Sequence, residues 1–198
     1  AWAAAGAPEG TPREDLGVPP RPSLEGGLEL KTPNFAPEIA GGPLAEFDEY
    51  RCFLVDPGLT RDMFITGYDV VPGNPALVHH VLAMPVDPAQ MTAGGQTNAE
   101  RMQALDDESP DREGWPCFSQ AGVAVQGLPV SWAPGMGVVE YPADTGMQLA
   151  AGTKIVIQIH YNLHDAALQG QSDQTTLRLK VADEVARVGF FDFIDPFI

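Results

Sequence analysis

The sequence predicts an all-β sandwich, and three observations carry that reading. Runs rich in β-branched and aromatic residues recur between strong turn signals, of which Asp56-Pro57-Gly58 and Pro72-Gly73-Asn74-Pro75 are the clearest. The chain holds 21 Gly and 19 Pro in 198 residues, a supply of chain-turning residues that suits many short strands better than long helices. Strand-like runs do not alternate with helical ones and no segment repeats, which argues against a doubly wound α/β fold.

In order along the chain, residues 1–49 form a Pro-punctuated lead-in, with Pro at 8, 12, 19, 20, 22, 33, 37 and 43. Its one alternating stretch, Leu28-Glu29-Leu30-Lys31, predicts at most a single edge strand. The domain proper is expected over 50–198. Residues 51–55, 63–71 and 76–86 read as three strands of an antiparallel meander or Greek key. Residues 98–105 suit a short helix, followed by an acidic loop carrying Asp106, Asp107, Glu108, Asp111 and Glu113. The spacing of those carboxylates fits no calcium-loop template, so the loop reads as a solvated surface. Strands are predicted again at 123–126, 130–133, 147–149, 153–162, 175–181 and 188–193. The closing stretch 190–198, with four Phe and two Ile, is too apolar for a free tail and is expected to pack back or to continue into a further segment.

Charge narrows the partners. Lys and Arg number 11 against 27 Asp and Glu, a formal net charge of −16, and such a surface repels phosphate backbones and anionic lipid. No apolar run is long enough to span a bilayer. Cys52 and Cys117 are the two cysteines, outside any Cys-x-x-Cys motif. In an exported protein they most simply form one disulfide, whose loop of about 65 residues would stabilise the fold by roughly 4 kcal/mol; two buried free thiols are the alternative.

Four histidines fall in two places: His79 and His80 within Leu77-Val78-His79-His80-Val81-Leu82, and His160 and His164 within Ile157-Gln158-Ile159-His160-Tyr161-Asn162-Leu163-His164. In the second run Ile155, Ile157, Ile159 and Tyr161 alternate with Val156, Gln158 and His160, so His160 avoids the most apolar face. Adjacent residues of a regular strand point to opposite faces. His79 and His80 can therefore share a ligand only at a bulge, a twist or a sheet edge. Burying two imidazoles without partners is costly, and a metal bound by His79, His80 and His160 would satisfy them. Three neutral imidazoles with no thiolate suit copper or zinc, with copper ahead on intrinsic affinity. A zinc hydrolase would need a carboxylate base that nothing in the sequence marks.

Asp48-Glu49-Tyr50-Arg51-Cys52-Phe53, the His79-His80 run, Trp132-Ala133 and Ile157-Gln158-Ile159-His160-Tyr161 stand in an order and at a spacing that resemble the N-terminal domain of the copper type II, ascorbate-dependent monooxygenases, the group of peptidylglycine alpha-hydroxylating and dopamine beta-monooxygenases. The resemblance covers roughly residues 48–195. It implies an antiparallel jelly-roll sandwich with one copper held by His79, His80 and His160, a Cys52–Cys117 disulfide, and a secreted, periplasmic or extracellular location. That copper would relay an electron drawn from ascorbate, while a second copper-binding domain would activate oxygen and hydroxylate substrate. The second copper's His-x-His motif is missing, so the resemblance implies no catalytic residue within this sequence. His164, beside Asp165, has no role in the resemblance and reads as a surface residue or an accessory ligand. A stand-alone copper-binding or copper-sequestering sandwich without catalytic activity is the alternative expectation, and an interaction module with structural histidines is a third. Met84 is expected in the core.

Overall fold

The computed structural model describes residues 3–8, 22–24, 26–39, 47–118 and 120–190. Its strands are, in chain order, β1 (Leu28–Lys31), β2 (Asp48–Val55), β3 (Met63–Val71), β4 (Val78–Val86), β5 (Trp115–Pro116) and β6 (Val130–Trp132). They continue with β7 (Val139–Glu140), β8 (Thr145–Leu149), β9 (Lys154–Asn162), β10 (Thr176–Ala182) and β11 (Arg187–Gly189), and one helix, α1 (Asn98–Asp107), lies between β4 and β5. One sheet runs in the order β1-β10-β3-β8-β11, with β7 also on β3; the other runs β5-β2-β9-β4-β6. The protein is an all-β sandwich, as the turn-rich composition predicts.

The inner faces meet in one core. Phe53 of β2, Val81 of β4 and Ile155, Ile157 and Ile159 of β9 pack toward Ile65 and Val70 of β3, Leu177 and Leu179 of β10 and Leu30 of β1, all buried. Each such side chain contributes about 1.5–3 kcal/mol by leaving water. The lead-in earns its place here: β1 forms the edge strand expected of residues 28–31, and Phe35 stacks at 5.7 Å on Tyr161 inside the core.

The outer face of the β2-β9-β4 sheet is covered as well. Cys52, Met84, Val86 and Val156 pack under Met102 and Leu105 of α1 and under Trp115, Cys117 and Ala121. The Cys52–Cys117 disulfide ties that cover to β2. This second layer explains why every residue from Ile155 to Tyr161 is buried although only alternate ones face the sandwich core. Met84 is buried as expected, but within this smaller cluster rather than between the sheets.

Four expectations change. Residues 123–126 form no strand: the buried Asn98 amide donates to Ala124 O at 2.8 Å and accepts from Ala124 N at 2.9 Å, occupying the groups a neighbouring strand would pair. Gln126 N donates to Pro85 O, holding the same segment as a strap. The sheets are antiparallel throughout except that β11 runs parallel to β8. The last strand, expected at 188–193, is Arg187–Gly189; residues 191–198, with most of the apolar closing stretch, lie outside the described residues. The two-residue strands β5 and β7 carry too little pattern to be foreseen. The helix begins where Thr97 and Glu100 form a reciprocal cap: Glu100 N donates to Thr97 Oγ1, and Thr97 N to the Glu100 carboxylate.

Among the described residues no helix is long and apolar enough to cross a membrane.

Candidate metal centre

His160 stands near the end of β9 on the covered face, and the register places Tyr50 of β2 on one side of it and His80 of β4 on the other. The same register slips between Val78 and His80: Val78 pairs with Tyr161 and His80 with His160, although Tyr161 and His160 are adjacent. His79 is thus the extra residue of a β-bulge. The bulge meets the geometric demand posed by two consecutive histidines, turning both toward His160 when a regular strand would separate them. One ring nitrogen from each of His79, His80 and His160 lies within 4.8 Å of the others.

His80 Nδ1 is 3.3 Å from His79 Nδ1 and 3.1 Å from His160 Nδ1. A ring nitrogen carries either one hydrogen or one lone pair, so hydrogen bonding leaves at least one of these approaches poorly matched. A shared cation satisfies all three at once. Burial keeps two of the rings, His80 and His160, ready for one. Burial pushes the His80 imidazolium down to about 4, helped by His160 and His79, so the ring is neutral near pH 7. Burial lowers His160 too, with the Asp48 charge acting against it.

One face of the His160 ring is held by stacking. Tyr50 stacks on it at 4.1 Å between centroids and 8° between planes, and Phe118 meets Tyr50 edge-on at 4.9 Å. His160 Nε2 is buried and has no hydrogen-bond partner among the described residues. Asp48 Oδ1 lies 3.3 Å from it, close enough for attraction, and accepts from Asn162 Nδ2 at 2.7 Å. Asp48 and Asn162 are cross-strand partners one pair beyond Tyr50 and His160 on the same face. Sequence reasoning did not single out Asp48, Tyr50 or Asn162 as parts of the site. The signal was Asp48-x-Tyr50 opening a strand in phase with Cys52, readable only once the partner of β2 is known.

The remaining candidates separate from the trio. His164 is exposed, edge-on to Phe47 at 4.9 Å, and is not among the clustered ligands. Cys52 and Cys117 are joined. The Gln158 amide reaches Cys117 O at 3.4 Å, filling the space between the disulfide and His160 along the same face.

The acidic loop is more than a solvated surface. Arg51, fully buried on the inner face of β2, donates to Ser109 Oγ and to the carbonyls of Arg112, Glu113 and Gly114 at 2.7–2.9 Å. Gly114 makes this wrap feasible: its φ is +66°, and a Cβ there would meet Cys52 O at 2.1 Å. Arg112 grips the buried Glu49 carboxylate bidentately, at 2.7 and 2.9 Å, and Glu38 N donates to the same group. The carboxylates of the loop point outward, and none clusters with the histidines.

Fold and geometry together define a β-sandwich with a candidate three-histidine metal centre. A scan of protein-family models and a search of curated proteins return no match to this chain.

Proposed function

We propose that the protein is the copper-binding, electron-transfer domain of an ascorbate-dependent copper monooxygenase-like system, with His79, His80 and His160 as the ligands. The observation that carries this reading is the bulge at His79, an irregularity of the ladder that gathers three imidazoles where a regular strand would gather two. The donor set fits the metal: three imidazole nitrogens without thiolate or carboxylate favour copper over its first-row neighbours. Bound there, copper would supply one-electron chemistry. The residues do the rest: Tyr50 holds the plane of His160, burial keeps His80 deprotonated, and the disulfide-tethered cover shields the sheet face that carries the site.

The wider parts of the proposal rest on the sequence resemblance. They are jelly-roll connectivity, ascorbate as donor, a partner domain holding the oxygen-activating copper, and an exported location, with which a disulfide is compatible. A zinc hydrolase is less well supported, because Asp48 faces His160 Nε2 and not the side where the Nδ1 atoms converge. Copper holding without catalysis by a partner is the second reading, favoured by the trio's being the only such ligand cluster among the described residues.

Copper reconstitution tests the proposal. One type II cupric ion per chain is expected, with its spin-resonance signal bleached by ascorbate and its stoichiometry lost in His80→Ala and His160→Ala. A chain that retains no copper at micromolar concentration overturns it, and copper that ascorbate cannot reduce leaves only the holding role.

A further inference from the structure

Resting on the reading of His160 as a metal ligand, we propose that Asp48, clamped by Asn162, is a positioning residue that fixes His160 with Nε2 protonated and Nδ1 turned to the metal. A ligating imidazole gives one nitrogen to the metal, and the other then carries hydrogen and needs an acceptor. In His160 the nitrogen beside His80 is Nδ1, at 3.1 Å, and the nitrogen left over is Nε2, which is buried and without a hydrogen-bond partner among the described residues. The one carboxylate within 4 Å of any ring nitrogen of the trio, among the described residues, is Asp48, its Oδ1 at 3.3 Å from that orphan atom.

The surroundings of Asp48 favour this role over an incidental approach. Asn162 donates to the same Oδ1 at 2.7 Å from the opposing strand, so the carboxylate is held at the edge of the ring. Tyr50 and Asp48 divide the work. Stacking on Tyr50 sets the plane of the imidazole but is indifferent to a half-turn about the Cβ–Cγ bond, which leaves that plane unchanged. The carboxylate removes the indifference, because a half-turn would take the N–H away from it. His79, which is exposed, and His80, which is half-buried, have no such partner, so His160 is the member of the trio that the protein orients in advance.

Nitrogen-15 NMR of the histidine rings in metal-free protein reads the tautomer directly, and copper titration with potentiometry reads its consequence. In the wild type, His160 is expected in the Nε2–H form. Asp48→Ala is expected to mix the two tautomers, to weaken cupric binding by about 10–100-fold, and to raise the midpoint potential, since a lost negative charge penalises the doubly charged ion more than the singly charged one. Asp48→Asn keeps an acceptor without the charge and should retain the tautomer while still raising the potential. Asn162→Ala frees the carboxylate and should shift affinity in the same direction by less; it also serves as the second variant if Asp48→Ala does not fold. A wild-type His160 in the Nδ1–H form, or Asp48→Ala and Asn162→Ala proteins with unchanged tautomer and affinity, overturns the inference. A wild type that binds no copper sinks the copper reading instead, and the metal-free tautomer still decides the role of Asp48.

Discussion

Strand β2 takes part in a polar group on each of its faces, and the two groups are built in opposite ways. On the inner face Glu49 and Arg51 belong to a closed network: the carboxylate is gripped by Arg112 and by Glu38 N, and the Arg51 guanidinium by four acceptors. On the outer face Tyr50 stacks against a histidine whose Nδ1 crowds the Nδ1 of His80, which in turn crowds that of His79. Both groups carry the desolvation cost of burial, but only the first offsets it with its own partners. A satisfied buried network is sufficiently explained by holding the fold, here by fastening the lead-in and the 109–114 loop to β2. An unsatisfied one beside it calls for something that is not protein.

Breaking the closed network should produce the larger change in stability. Glu49→Leu leaves Arg51 and Arg112 without their counter-charge, and a loss of about 3–5 kcal/mol is expected in denaturant unfolding, with copper stoichiometry unchanged in whatever protein remains folded. A loss under about 1 kcal/mol would mean that the carbonyl acceptors alone satisfy Arg51, and the contrast between the faces would weaken.

Acid should expose the open group next. His80 protonates near 6.5 when unfolded but near 4 when folded, so the unfolded chain takes up the proton first. The stability of the metal-free protein should therefore fall as pH drops from about 6.5 and stop responding to this group below about 4. A His80→Gln variant, unfolded across the same pH series, should lose that component while keeping the slope due to the carboxylates. Superimposable pH profiles for the two proteins would show that His80 is not held neutral by its site.

The smallest effect sharpens the boundary of the open group. His164→Ala should leave copper stoichiometry at its wild-type value and stability within about 0.5 kcal/mol, since the ring is exposed and touches only the edge of Phe47. Loss of copper in this variant would make His164 a ligand after all.

How far the sequence reaches can be judged on particular residues. Strand β3 was legible to its ends because turn signals bracket it, and β9 because its alternation is strong. The His79-His80 pair even announced the irregularity it needs. The cover over the outer face was not legible: Val156, Gln158 and His160 read as the less apolar side of β9, yet α1 and Trp115 pack over Val156, the disulfide lies against Gln158, and Tyr50 stacks on His160. Residues 123–126 have strand-like composition, yet one amide, Asn98, takes up the hydrogen-bonding groups of Ala124. Asp48 and Glu49 are neighbours of like charge whose opposite employments follow from strand phase and cross-strand partners, which local pattern does not contain.

The bulge at His79 also bears on how such a site can arise. A single extra residue separates this ladder from a regular one, and the pairing on its far side, from His80 to Val86, proceeds as though nothing had intervened. One inserted codon in a plain sandwich strand can thus create the third ligand position, and one deletion can erase it, without any change to the residues that build the core.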